Sequence, residues 1–148
     1  MISQRVVGVD LVEEREDLGA MVFRLGRRLL VMEQPILDRH GVSMWAYAVL
    51  TALRESPMRT QTALAAGIGA DKTRLIPVLD ELQKRGLIER EPDPSDRRVR
   101  LLDLTADGRR LHETIQSEIR AGEADLLSDF PPTDRDGFLR ALIALTRR

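Results

Sequence analysis

Apolar residues recur at alternating steps of four and three positions early in the chain, which is the spacing of one helix face. The residues of this stripe are Leu18, Val22, Leu25, Leu29, Met32 and Ile36. The spacing predicts a long first helix. Pro35 lacks a backbone N–H, so we expect a kink or a stop near it, and Gly41 marks the break that follows.

Three shorter helices are predicted next, each opened by a side chain that suits a helix N-terminus. The first begins after Ser43 and closes at Ser56-Pro57, and the second follows Thr60 as the segment TQTALAA. The two glycines of GIGA supply permissive dihedrals for a tight turn. Asp71 then opens the third helix, and Gly86 lies just past its last turn as a left-handed cap.

The pattern after Gly86 changes to two short runs typical of strands, LIERE and VRLLDL, joined by the charged, turn-rich loop Pro92–Arg98. We therefore expect a β-hairpin. A helix capped by Thr105 follows it, and Gly122 inside that helix is expected to permit close approach of another helix. Pro131-Pro132 force a corner, after which Thr133 and Asp136 form a T-x-x-D cap for a last helix.

Length and composition narrow the class of protein. A chain of 148 residues with 43% hydrophobic content predicts one compact domain. The absence of cysteine excludes disulfides and thiolate metal sites. No apolar run reaches the roughly 18 residues of a membrane helix, so we expect a cytoplasmic protein. With a net charge of −1, a surface for nucleic acid requires local segregation of basic residues.

The order short helix, glycine turn, longer helix and hairpin is typical of a winged helix-turn-helix, whose second helix enters the major groove of DNA. The predicted fold class is therefore mainly α with a small β-hairpin wing, flanked by N- and C-terminal dimerisation helices. Dimerisation is expected because the stripes of the first and last helices offer more apolar face than a small winged lobe can cover.

The helix after Asp71 has one apolar and one polar side at 100° per residue. Lys72 and Arg74 can bond phosphate or guanine, Thr73 offers a hydroxyl, and Ile76 with Pro77 suits a thymine methyl. Taken alone, a solvated helix face explains the pattern equally well. The candidate DNA-binding residues are Thr60, Gln61, Lys72, Thr73, Arg74, Ile76, Pro77, Asp96, Arg97 and Arg98.

Two adjacent arginines occupy the predicted hairpin loop beside prolines and an aspartate. Such a tip suits a narrow, strongly negative minor groove, with Asp96 orienting Arg98 by a charge-assisted bond and Arg97 contacting phosphate. An exposed turn that is merely charged is the simpler interpretation of the loop alone. The preceding helices favour the DNA interpretation.

Residues 70–111, ADKTRLIPVLDELQKRGLIEREPDPSDRRVRLLDLTADGRRL, resemble the MarR family of bacterial transcription regulators. The resemblance is carried by D-K-[ST] at the helix start, K-x-G-L-[IV]-x-R from Lys84 to Arg90, the D-P-x-D-R-R wing, and L-T-x-x-G from Leu104 to Gly108. The order and lengths of the flanking helices extend it over nearly the whole chain.

The resemblance implies a single MarR-like domain over 1–148, with dimerisation helices at 11–40 and 109–148 and a winged helix-turn-helix lobe at 43–108. It further implies a homodimeric repressor of pseudo-palindromic operators, in which Arg98 enters the minor groove and Asp96 supports it. Many members carry arginine or another polar group at the position of Pro77. We therefore expect Arg74 to carry more of the base readout here.

The resemblance also suggests release from DNA by a small aromatic or phenolic effector, bound where the dimerisation helices meet the lobe. His40, Trp45 and Tyr47 lie near that junction, although core aromatics and a surface histidine explain them more simply. His40 and His112 are the two histidines, and neither has a metal-ligating neighbour at i+3 or i+4. No metal and no cofactor are expected.

Two other classes of protein compete with a DNA-binding regulator: an enzyme and an adapter that binds proteins. The sequence contains no G-x-S-x-G or H-E-x-x-H motif, and GIGADK lacks the spacing of a phosphate-binding loop, so we expect no enzyme activity. The alternative to a DNA regulator is a dimeric winged-helix adapter that acts through protein contacts without operator binding. Pro77 and the near-neutral charge keep this alternative open.

Overall fold

The computed structural model of the protein describes residues 12–57 and 59–147. Its helices are α1 (Leu18–Arg39), α2 (Met44–Glu55), α3 (Gln61–Ile68), α4 (Lys72–Lys84), α5 (Ala106–Leu126) and α6 (Pro132–Thr146). Its strands are β1 (Arg59–Thr60), β2 (Ile88–Asp93) and β3 (Asp96–Leu104). This order confirms the predicted fold class. The predicted starts of the domain at residue 1 and of the first dimerisation segment at residue 11 lie outside the described residues.

Side-chain caps fix the starts of α2 to α5. Each cap accepts a hydrogen bond from a backbone N–H in the first turn, as predicted. The pairs are Ser43 with Ala46 at 3.1 Å, Thr60 with Ala63 at 3.1 Å, Asp71 with Thr73 at 3.0 Å and Thr105 with Gly108 at 3.0 Å.

The predicted cap of the last helix is wrong. Helix α6 begins at Pro132 with Pro131 at the N-cap position and no side-chain cap, so Thr133 already lies inside the first turn. The physical reason is the fixed φ of proline, which is preorganised for the first helical position and costs no hydrogen bond there.

The core lies where α2, α3, α4 and the sheet pack against α5 and the end of α1. Its most deeply buried apolar residues are Leu37, Val49, Leu50, Leu53, Leu64, Leu75, Leu79, Leu82, Leu102 and Ile115. Burial along α1 is uneven, since Ile36 is buried while Leu18 and Val22 are exposed. Helix α6 has no buried residue. None of the described helices is long and apolar enough to cross a membrane.

Glycines end two of the short helices in the left-handed region. Gly69 after α3 has φ +67° and Gly86 after α4 has φ +71°, a conformation that costs glycine little. The expectation that both glycines of GIGA form the turn is wrong for Gly67, which lies inside α3. Helix α1 also continues through Pro35 to Arg39 instead of stopping at the proline.

The hairpin is longer, and its loop shorter, than predicted. Strand β2 runs to Asp93 and β3 starts at Asp96, so the turn is Pro94-Ser95 and the loop Pro92–Arg98 is mostly strand. The pairing shifts from Pro92 with Arg100 to Asp93 with Asp96, which leaves Arg97, Arg98 and Val99 as an irregular bulge. A third strand was missed, because β1 has only two residues and pairs with β3 over Leu101 and Leu102.

Close backbone contacts tie the end of α4 to the start of α5. The Thr105 N–H donates to the Leu87 carbonyl at 3.1 Å, and the Thr105 hydroxyl donates to the Gly86 carbonyl at 2.6 Å. A Cβ on Gly108 would collide with the Leu87 carbonyl. Farther along α5, a Cβ on Gly122 would lie 2.6 Å from Met32 Sδ, which confirms close helix approach at that glycine.

Candidate nucleic-acid interface

The face of α4 opposite the core is exposed along its whole length. Leu75, Leu79 and Leu82 are buried, in agreement with the predicted apolar side. Every predicted DNA-contacting residue of the helix is exposed, namely Lys72, Thr73, Arg74, Ile76 and Pro77. The placement of this face is thus confirmed, while the contacts of its residues with bases remain predictions.

The N-terminal half of α4 is suited to an anionic partner. Free N–H groups and the helix dipole concentrate positive potential at a helix N-terminus, and Lys72 and Arg74 add two full charges there. Asp71 offsets part of this charge, but its carboxylate is engaged with the Thr73 N–H at 3.0 Å. Cationic side chains and free helix amides therefore lie at the same end of α4.

Pro77 does not end the recognition helix. Helix α4 continues seven residues beyond it to Lys84. Since proline has no N–H, the Thr73 carbonyl lacks its usual donor four residues later. That carbonyl lies in the half of the helix that we expect to face bases.

The tip of the wing is held by aspartates that bind backbone. Asp96 Oδ1 accepts from the Arg98 backbone N–H at 3.1 Å, and Asp93 Oδ1 accepts from the N–H and hydroxyl of Ser95 at 2.9 and 2.7 Å. These bonds from Ser95 lower the pKa of Asp93. The predicted bond between Asp96 and the Arg98 guanidinium is not among the ion pairs of the described residues; Asp96 Oδ1 instead accepts from the Arg98 backbone N–H.

Basic residues divide into two groups. Many arginines are ion-paired, as in Arg54 with Glu113 at 2.9 Å. Within residues 12–57 and 59–147, ion pairs with a carboxylate are absent from six exposed cations of α4 and the wing: Lys72, Arg74, Lys84, Arg97, Arg98 and Arg100. These cations are therefore available to phosphate although the net charge of the chain is close to neutral.

Thr60 and Gln61 differ from the rest of the predicted set. Both are only half exposed at the junction of β1 and α3. The Thr60 hydroxyl caps α3 by accepting from Ala63, and the Thr60 backbone pairs with Leu101. Their structural duties explain their positions, and contact with DNA remains a prediction for both.

Two of the three residues proposed for an effector contact different residues of α5. His40 Nε2 lies 2.9 Å from Glu118 Oε1, whereas the Tyr47 ring stacks on His112 with centroids 5.4 Å apart. Trp45 is half-buried in α2. Burial raises the pKa of Tyr47. His40 and Tyr47 thus contact different residues of α5.

His112 is the residue of this junction that sequence reasoning missed as a binding candidate. Its side chain is buried, with Nε2 lying 3.1 Å from Thr51 Oγ1. Its Nδ1 has no hydrogen-bond partner among the described residues. Burial lowers the pKa of His112, and the charge of Arg54 lowers it further. A buried, unpartnered polar atom beside a tyrosine ring is a feature that a polar ligand would complement.

Comparisons with known proteins agree with this architecture. The model of the MarR family matches residues 42–99, which span the lobe from the start of α2 to the wing. The transcriptional regulatory protein for the hcr operon of Thauera aromatica is 26% identical over 113 residues, covering 76% of this chain and 68% of that protein.

The solved structures of CouR are similar over most of the chain. CouR from Rhodococcus jostii RHA1, crystallised with p-coumaroyl-CoA, is 30% identical with a TM-score of 0.72, covering 88% of this chain and 92% of CouR. The transcriptional repressor CouR bound to a 23-mer DNA duplex is 27% identical with a TM-score of 0.74, covering 93% and 96%. The protein therefore belongs to the MarR family of transcription regulators.

Proposed function

We propose that the protein is a homodimeric, effector-responsive repressor that binds a pseudo-palindromic operator through α4 and the β2–β3 wing. The observation that carries the proposal is the set of exposed cations without ion-pair partners at the start of α4 and the tip of the wing. The lobe corresponds to residues 43–108, and the segments 11–40 and 109–148 serve dimerisation. The repressor CouR has a similar fold and has been solved bound to a DNA duplex, which supports this assignment.

The residues of α4 and of the wing contact different parts of the DNA in this proposal. Arg74, Lys72 and Thr73 read bases and phosphates from the start of α4 in the major groove. Arg98 enters the minor groove, held at its backbone by Asp96. Arg97 binds phosphate, which contributes affinity without sequence preference.

A second copy of the chain covers the apolar faces that one copy leaves open. The exposed large apolar residues of α1 and α6 include Leu18, Val22, Phe23, Leu30, Val31, Phe138, Leu139, Leu142, Ile143 and Leu145. An isolated chain rarely exposes so many, and a two-fold axis through these helices buries both sets at once. Such a dimer presents two α4 helices to half-sites about 34 to 36 Å apart.

The effector proposal centres on Tyr47 and His112, where α2 packs against α5. The proposed ligand is a phenolic acid or its CoA thioester, whose ring would pack beside the stacked pair while its polar group would bond His112 Nδ1. CouR has been crystallised with p-coumaroyl-CoA, which supports this ligand class. The ligand acts by binding the DNA-incompetent state more tightly than the competent one. This cytoplasmic role requires no catalysis, cofactor or metal.

The direct test is binding of the purified full chain to the DNA upstream of its own gene, measured by gel shift and footprinting across salt concentrations. We expect two protected half-sites and a steep loss of affinity as salt rises. Arg74→Ala should weaken binding and change base preference, whereas Arg54→Ala, which removes a cation paired to Glu113, should do neither. Failure to bind any duplex at low salt would favour the adapter alternative and overturn the proposal.

A further inference from the structure

Arg85 connects the end of α4 with the turn between α1 and α2. Its Nη1 donates to the Gly41 carbonyl at 2.7 Å, and its Nη2 donates to the His40 carbonyl at 3.1 Å. His40 is the C-cap residue of α1. Carbonyls at a helix C-terminus lack intrahelical donors and carry partial negative charge, so a two-pronged guanidinium satisfies both groups at once.

The same turn is tied to α5. His40 Nε2 lies 2.9 Å from Glu118 Oε1, and Arg39 Nη2 lies 2.7 Å from Glu118 Oε2. Both carboxylate oxygens are thereby engaged, and these bonds from His40 and Arg39 lower the pKa of Glu118. The turn that Arg85 contacts is therefore also tied to the long helix α5.

Arg85 lies at the last point of the recognition helix. It is the C-cap residue of α4. The carbonyl of the next residue, Gly86, accepts a hydrogen bond from the Thr105 hydroxyl at 2.6 Å. The backbone after α4 is thus anchored to the start of α5, while the Arg85 side chain reaches the end of α1. Two anchors on different helices restrict how far α4 can swing about its C-terminal end.

We propose that Arg85 is a positioning residue that sets the half-site spacing accepted by the dimer, by fixing α4 relative to α1 and α5. The inference rests on the proposed function, because spacing has meaning only for a dimer on a two-part operator. Arg85 lies at the opposite end of α4 from Lys72 and Arg74, so it acts on DNA through the orientation of the helix.

The test compares wild-type protein with Arg85→Ala on operators whose central spacer is natural or altered by one or two base pairs. Two added base pairs rotate one half-site by about 70° around the duplex, so we expect wild-type affinity to fall by roughly tenfold or more. Arg85→Ala should bind the natural and altered spacers within about threefold of each other, because a freer α4 follows either half-site. Affinity is read by fluorescence anisotropy at fixed salt.

Matched variants separate positioning from general damage. Arg85→Lys keeps the charge but lacks the planar guanidinium, so it should also lose discrimination between spacer lengths. If Arg85→Ala does not fold, Arg85→Lys alone tests the inference. Arg54→Ala removes a comparable guanidinium that joins α2 to α5 and should keep wild-type discrimination.

The outcomes distinguish this inference from the function on which it rests. If wild-type protein binds the operator and a folded Arg85 variant discriminates among spacers as wild type does, the inference is wrong and the proposed function stands. If wild-type protein binds no operator, the proposed function is wrong, and this inference is wrong as well. Lost discrimination in both Arg85 variants and retained discrimination in Arg54→Ala would support Arg85 as the positioning residue.

Discussion

Arg90 of β2 and Asp80 of α4 form an ion pair in which Arg90 Nη2 donates to Asp80 Oδ1 at 3.0 Å. The Arg90 side chain is 25% exposed, whereas the Asp80 side chain is 60% exposed. The pair joins the wing to the outer side of the recognition helix. It therefore fixes the relative position of the two elements that we expect to enter adjacent grooves of DNA.

Asp80→Ala should weaken operator binding several-fold while changing stability little. The Asp80 end of the ion pair is solvated and the Arg90 end is mostly buried, so its loss should lower the free energy of unfolding by about 1 kcal/mol. Without this ion pair the wing is held less firmly to α4. Ordering it when DNA binds then costs free energy, which weakens binding. Urea unfolding and anisotropy measure the two effects. Glu113→Ala, which removes a carboxylate of similar exposure from the Arg54 pair, should match it in stability without affecting DNA binding.

Arg98→Ala should cost about 1 to 3 kcal/mol of operator binding and leave unfolding unchanged, because its exposed side chain makes no ion pair within the described chain. The loss should be greatest on operators with A·T-rich flanks, where the minor groove is narrow and most negative. Arg97→Ala is the comparison, since losing a phosphate contact should weaken the salt dependence of binding without changing sequence preference. Equal affinities for wild type and Arg98→Ala at matched salt would contradict the role of the wing.

Local chemistry explains why the sequence predicted so much of the fold. Ser43, Thr60, Asp71 and Thr105 act as caps within three residues of themselves, and the buried side of α4 follows from helical spacing alone. The misassigned start of α6 is also a local error, because the preference of proline for the first helical turn competes with the T-x-x-D pattern.

The features that sequence reasoning missed join residues far apart in the chain. Strand β1 has two residues and forms only because β3 lies beside it. The contacts of Arg85 with His40 and of Thr51 with His112 span 45 and 61 positions. No periodic pattern encodes such pairs, since each depends on how complete helices pack. The backbone use of Asp96 was missed because a charged neighbour made a side-chain pair the simpler expectation.

Gly108→Ala should be strongly destabilising. The added methyl group would collide with the backbone carbonyl of Leu87, which cannot rotate away as a side chain would, and the Thr105 bonds hold that backbone in place. We expect a loss of about 3 kcal/mol or more in the free energy of unfolding, measured in urea. Gly19→Ala is the control, because a Cβ there meets nothing within 4 Å and alanine favours a helix.

His112 should make folding sensitive to acid. Burial, followed by the charge of Arg54, lowers the pKa of its imidazole in the folded state. The unfolded chain takes up a proton near its usual pKa of about 6.5, while the folded chain resists protonation. Stability from this group is therefore fully present above that pH and falls as the pH drops below about 6.5 towards the folded-state pKa.

His112→Gln tests that pH dependence through the difference between two unfolding curves. Between pH 7.5 and a pH below about 6.5, the free energy of unfolding should fall more for wild type than for the variant. The reason is that glutamine, unlike histidine, takes up no proton on unfolding. Contributions from all other titrating groups are shared and cancel in the difference. Parallel stability profiles for the two proteins across this range would show that His112 does not carry the effect.

Leu142→Glu should separate the dimer without unfolding the lobe. Leu142 is 40% exposed in the single chain, and α6 has no buried residue, so the substitution disturbs no contact of the core. A carboxylate in the proposed interface must instead be desolvated without a partner, which strongly opposes association. Sedimentation analysis should show monomers where we expect wild type to form dimers, with loss of cooperative binding to the two half-sites. Arg140→Glu, a charge change on the polar side of α6, should stay dimeric. A dimeric Leu142→Glu protein that binds the operator like wild type would place the subunit interface elsewhere.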